Sequence, residues 1–76
     1  MKDKFIMDIK TTKSYQGLVK KIKKAGYKID SEKVYFYDGD DYEYVRFLIS
    51  NDKRKLSVRF MHGEDMFDIR RISILK

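Results

Sequence analysis

The sequence predicts a single α+β domain: a four- or five-stranded antiparallel meander with one amphipathic helix packed on one face. Three observations lead there. A stretch from about Lys13 to Ala25 repeats its apolar residues at a helical period, later stretches alternate with a period of two, and short polar turns separate them. With 76 residues the chain has room for one domain, spanning 1–76. A domain this small needs nearly every large apolar residue for its core, which leaves little for a deep catalytic pocket.

The first element expected is a strand over Lys4–Lys10, where Phe5, Ile6, Met7 and Ile9 supply the apolar content. The helix follows. Tyr15, Leu18, Val19, Ile22 and Ala25 recur at one face of a 3.6-residue period, and Lys13, Lys20, Lys21, Lys23 and Lys24 fall on the other. Thr11, Thr12 or Ser14 is placed to cap its start, and Gly26 stands where a left-handed residue closes a helix. Val34 and Phe36 then alternate with Tyr35 and Tyr37 over Lys33–Tyr37, and Asp38-Gly39-Asp40-Asp41 has the chemistry of a hairpin turn. Over Glu43–Ser50, Val45, Phe47 and Ile49 share one side, while Tyr44, Arg46 and Leu48 share the other. After a turn at Asn51–Arg54, Leu56, Val58 and Phe60 alternate with Ser57, Arg59 and Met61. A turn at His62–Asp65 leads into a last strand, Met66–Leu75. There the phase slips at Arg70-Arg71, which predicts a bulge.

Composition narrows the class further. The chain has no cysteine, hence no disulfide framework and no thiolate metal site. Its apolar runs are too short to cross a bilayer, and no apolar stretch follows the Met1-Lys2 start, so a cytoplasmic protein without a membrane partner is expected. A hydrophobic fraction of 42% with six tyrosines and five phenylalanines argues for a folded domain, not a basic tail. Thirteen lysines against five arginines, frequent Ile and Tyr, and a lone Ala25 point to an AT-rich coding genome. For a short reading frame that suggests a phage or mobile-element source.

The net charge of +6 is segmented. Residues 1–29 carry nine lysines against Asp3 and Asp8, a balance of +7. Residues 30–45 set Lys33 against Asp30, Glu32, Asp38, Asp40, Asp41 and Glu43, a balance of −5, and residues 46–76 return to +4. A basic, acidic, basic layout suits a partner that displays both signs.

Two surfaces carry recognition chemistry. The helix stripe, with Lys20, Lys21 and Lys24 at its centre, offers point charges to phosphates, and its bland alternative is a solvated face. The uncovered sheet face is expected to gather Tyr35, Tyr37, Tyr44, Arg46 and Arg59, residue types that stack bases or anchor protein interfaces. Its bland alternative is ordinary cross-strand pairing. Asp40 and Asp41 belong to a turn whose glycine lies at the wrong position for a calcium loop, so an acidic docking turn is preferred to a metal site. His62 is the only histidine; Glu64 and Asp65 are near enough to hold its ring, yet a lone turn histidine lacks a second tuned group for acid–base work. No glycine-rich phosphate loop or metalloprotease motif is present.

The lysine-rich helix ending in Ala25-Gly26-Tyr27 and followed by strands loosely resembles the small HicA-type toxin ribonucleases over about residues 17–47. In that family the catalytic histidine follows a Gly-Ser pair on a strand, and no Gly-Ser-His occurs here, so the resemblance carries over no activity. The sequence therefore points to a non-catalytic binding protein without a cofactor or metal. The expected action is inhibitor-like: it modulates a host protein of nucleic-acid machinery or defence by occupying its surface. The alternative is a sequence-nonspecific nucleic-acid binder using the lysine face and the Tyr/Arg face.

Overall fold

A computed structural model describes residues 3–36, 39 and 41–75. Helices α1 (Lys4–Lys10) and α2 (Tyr15–Lys24) precede four strands, β1 (Lys28–Tyr35), β2 (Tyr42–Ser50), β3 (Lys55–Gly63) and β4 (Phe67–Leu75). The strands form one antiparallel sheet in chain order, β1-β2-β3-β4, so the α+β meander stands with four strands and two helices.

The strand expected over Lys4–Lys10 is a helix. Phe5, Met7 and Ile9 would share one side of a strand, but Phe5 and Ile9 are also one helical turn apart. Ile9 is fully buried, Phe5 packs against the core, and Met7 is left 48% exposed. Asp3 decides between the two by capping the helix, accepting a hydrogen bond from the Ile6 N–H at 3.1 Å. A helix of seven residues is marginal alone, so distant contacts must hold it. The same Asp3 carboxylate pairs with the Arg54 guanidinium, whose Nε donates to the Tyr27 hydroxyl at 2.5 Å. Phe5 stacks on Tyr27 with ring centroids 4.4 Å apart. Asn51 Oδ1 accepts from the Lys53 and Arg54 N–H groups, which shapes the β2–β3 turn and presents Arg54.

In α2 the capping residue is Ser14, whose hydroxyl accepts from the Gly17 N–H at 3.0 Å. At the far end Gly26 takes φ +88°, the Gly26 N–H bonds to the Lys23 carbonyl, and the Tyr27 N–H bonds to the Ile22 carbonyl. That pair of bonds satisfies carbonyls the helix would otherwise leave open, and the left-handed position explains the glycine. Lys21 departs from the solvated stripe: its Nζ donates to the Asp8 carbonyl at 3.0 Å and pairs with the Asp8 carboxylate, tying α2 to α1.

Register sorts the sheet into two sides. Val45, Phe47 and Ile49 on β2 lie opposite Phe60, Val58 and Leu56 on β3. These six join Ile9 of α1 and Leu18 and Ile22 of α2 in one hydrophobic cluster. On β4, Ile69 and Ile72 pair with Phe60 and Val58 and pack against the same cluster. Strand β1 begins at Lys28, earlier than the apolar alternation suggested, because backbone pairing with β2 continues through Asp30-Ser31-Glu32. Its register shifts between Ile29 and Ser31, leaving Asp30 as the extra residue. The slip on β4 is present where the sequence predicts it: Arg59 pairs with Arg71 and Phe60 with Ile69, so Arg70 is the inserted residue.

Two outcomes test this arrangement. Ile22→Ala should cost about 2–5 kcal/mol in chemical denaturation, and Lys20→Ala, on the exposed side, under about 1 kcal/mol. The Arg54 guanidinium, followed by the Ile6 N–H, holds the Asp3 carboxyl below its ordinary value of 3.8. A depressed folded pKa contributes stability that is present above the unfolded value and lost as pH falls through the folded one. Asp3→Asn should therefore flatten the loss of stability below about pH 4 in an acid denaturation series.

Candidate binding surface

The sheet side away from the helices carries a row of cations. Lys33 pairs with Arg46 across β1 and β2, Arg46 with Arg59 across β2 and β3, and Arg59 with Arg71 across β3 and β4. Directly opposed residues project to the same side of a sheet, so one positive charge from every strand stands in a line. Neighbouring strands lie about 4.8 Å apart, and like charges so placed are destabilising. Two positions along the strands, Tyr35 pairs with Tyr44 and Tyr44 with Met61, giving an aromatic row beside the cationic one. Tyr42 stands edge-on to Tyr44, ring centroids 5.4 Å apart.

The bulge completes this surface. Successive side chains on a regular strand point to opposite sides, but Arg70 and Arg71 both line one groove of about 370 Å³, together with Tyr35, Tyr44, Arg46 and Arg59. Arg70 Nη1 pairs with Asp68 at 3.0 Å. Arg59 and Arg71 are exposed and have no ion-pair partner among the described residues. Arg46 is half-buried, and its Nε is shielded from solvent with no hydrogen-bond acceptor among the described residues. A donor left in that state costs free energy.

The sequence placed Tyr35, Tyr44, Arg46 and Arg59 together, and the structure does so. Tyr37 and Asp40 lie outside the described residues, as does Asp38. Asp41 is exposed at the start of the β2 side of the turn. Lys20 and Lys24 are exposed on α2, whose Leu18 and Ile22 enter the core on the covered side; the lysine stripe and the arginine groove thus face away from each other. Lys33, Arg70 and Arg71 were missed by sequence reasoning. The slip at Arg70-Arg71 was itself the signal, because a bulge is the device that aims two successive side chains alike.

A second polar cluster lies at the helix side of the sheet. Tyr15 caps the hydrophobic cluster at one end, in edge contact with Phe47 and Phe60 and 5.1 Å from the His62 ring. Its hydroxyl donates to Glu32 at 2.6 Å, and His62 Nε2 lies 3.2 Å from a Glu43 oxygen. The histidine is therefore held across the β2–β3 pair by Glu43, not by the turn residues Glu64 and Asp65. Two of the acidic residues in the segment 30–45 are thus engaged on the covered side, which leaves the open side dominated by one sign. Among the described residues, no group of His, Asp and Glu side chains is placed to hold a metal ion, and no helix is long and apolar enough to cross a membrane.

Compared with known proteins, the chain matches no family model, no curated relative and no solved structure.

Burial, then the bond to Glu32, pushes the Tyr15 phenol up from 10.0 to about 12. A raised folded pKa contributes stability that is complete below the unfolded value and is lost as pH rises through the folded one. Ultraviolet difference titration of the protein against Tyr15→Phe should place this phenol near 12. Glu32→Gln should bring it down toward the ordinary value, because the carboxylate charge that opposes phenolate formation is gone.

Proposed function

We propose that this is a small non-catalytic binding protein that modulates a protein partner by occupying an acidic surface through the open side of its sheet. The observation that carries the reading is the line Lys33, Arg46, Arg59 and Arg71, one cation from each strand and none of them in an ion pair among the described residues. A fold gains nothing internally from such a line, and an anionic partner would turn the repulsion into attraction. Tyr35 and Tyr44 beside it, with Met61 in the same row, are residue types enriched where proteins meet. Docking by strand addition is less well served. Both edge strands carry a bulge and charged residues, Asp30 on β1 and Arg70 on β4, which blunt an edge against pairing. In the phage or mobile-element setting that residue usage suggests, the partner is a host cytoplasmic protein of nucleic-acid machinery or defence.

A second reading, sequence-nonspecific nucleic-acid binding, is favoured by the aromatic row running beside the cationic one, since bases stack on such rings while phosphates meet the charges. The lysine stripe would not extend that track, because α2 turns it away from the groove.

Pull-down from host lysate with nuclease present, using wild-type protein and two variants of equal charge change, separates the readings. Arg59→Gln with Arg71→Gln should lose the captured protein, and Lys20→Gln with Lys24→Gln should keep it. A complex that disappears with nuclease, or that weakens about a hundredfold between about 50 and 200 mM salt, would favour the nucleic-acid reading.

A further inference from the structure

The chain spends its arginines in one place. Of eighteen basic residues thirteen are lysines, yet four of the five arginines line the groove on the open side. The fifth, Arg54, is the internal tie to Asp3 and Tyr27. Residue usage that favours lysine everywhere else makes this segregation informative. Lysine is sufficient as a point charge for general attraction to a polyanion. Arginine offers a planar fork that grips an oxyanion with two parallel N–H bonds.

Two further observations mark the groove as built for such a group. The bulge aims both Arg70 and Arg71 into it, where a regular strand would have turned one away. Arg46 lines the groove as well, and its Nε, shielded from solvent, has no acceptor among the described residues.

We infer that the groove is a carboxylate-recognition site, in which Arg46, Arg59 and Arg71 grip clustered Asp or Glu side chains of an acidic segment on the partner protein. This rests on the reading of the open sheet side as a docking surface and names what that surface holds. Charge complementarity selects an acidic occupant. The form of the surface selects a protein segment over a nucleic-acid strand. The cationic row is only four strands wide, Asp68 stands at the end of the adjoining aromatic row, and the lysines of α2 lie on the other side. A phosphate track would meet that negative charge and run out of cations after three strand spacings, about 14 Å. A short acidic segment needs no more than the groove provides, with Tyr35 and Tyr44 covering its apolar atoms.

The test uses the whole protein, labelled for detection of arginine Nε–Hε signals, titrated with a hexaglutamate peptide, with an oligothymidylate and with inorganic phosphate. The peptide should shift the signals of Arg46, Arg59 and Arg71 and leave that of Arg54 in place. Arg59→Lys with Arg71→Lys keeps the charge and removes the forks, and it should weaken peptide binding by about tenfold or more. Both positions are exposed, so the variant should melt like wild type. Undiminished binding by that variant, combined with loss in Arg59→Gln with Arg71→Gln, would overturn carboxylate gripping while leaving electrostatic docking intact. Peptide binding that leaves the Arg46, Arg59 and Arg71 signals in place, or no peptide binding at all, would overturn both. Tighter binding of the oligothymidylate than of the peptide, or equal shifts from phosphate alone, would overturn the choice of carboxylate.

Discussion

The hydrophobic cluster that joins Ile9, Leu18 and Ile22 to the inward side of β2 and β3 decides what the remaining side of the sheet must be. Phe47 and Phe60 meet edge-on at its centre, 5.0 Å between ring centroids, and Tyr15 closes its end over both. A chain this short has one such core to offer, and both helices are committed to it. The sheet has period-two alternation, so each apolar residue sent into the cluster obliges its neighbour to face the other way. Tyr44, Arg46, Arg59 and Arg71 occupy the open side for that reason, and the register then fixes which of them stand opposite one another.

Stability and recognition pull against each other on that open side. Four cations in a line across four strands weaken the sheet that carries them, yet the sheet persists because Val45, Phe47, Ile49, Leu56, Val58 and Phe60 are buried on the other side of its two central strands. Four acidic side chains are engaged away from the line. Glu32 and Glu43 hold Tyr15 and His62 on the covered side, Asp8 pairs with Lys21 between the helices, and Asp3 pairs with Arg54. Among the described residues only Asp68 pairs with a groove arginine, and it takes Arg70, the residue the bulge adds to the row. Charge segregation of this kind is what a docking surface requires and what a surface selected only for solubility would avoid.

Much of this was legible in the sequence where a pattern has one physical solution. Tyr15, Leu18 and Ile22 fit only a helix, Gly26 fits only its end, and the phase slip at Arg70-Arg71 fits only a bulge. The stretch 4–10 was ambiguous because Phe5 and Ile9 satisfy both periods; the Asp3 cap resolves it, and Arg54, which holds that cap in place, is remote in sequence and gathered to Asp3 only by the fold. The sides of Tyr35, Tyr44, Arg46 and Arg59 followed from alternation alone. The row did not, because pairing Lys33 with Arg46 and Arg59 with Arg71 depends on turn lengths and two bulges, which alternation leaves undetermined. The role of Lys21 was hidden for the same reason, since Asp8 meets it only once α1 is a helix.

The claim that the open side carries an unneutralised cationic line is tested most directly by thermal stability across a sodium chloride series at neutral pH. Wild type is compared with two variants of identical net charge, Arg46→Gln with Arg59→Gln in the line and Lys20→Gln with Lys24→Gln on α2. Moderate salt screens opposed charges a few ångströms apart, so wild type and the α2 variant should gain stability with salt, and the variant in the line should gain distinctly less. Equal salt responses in the two variants would contradict the account, because the repulsion would then belong to the net charge of the protein and not to the row.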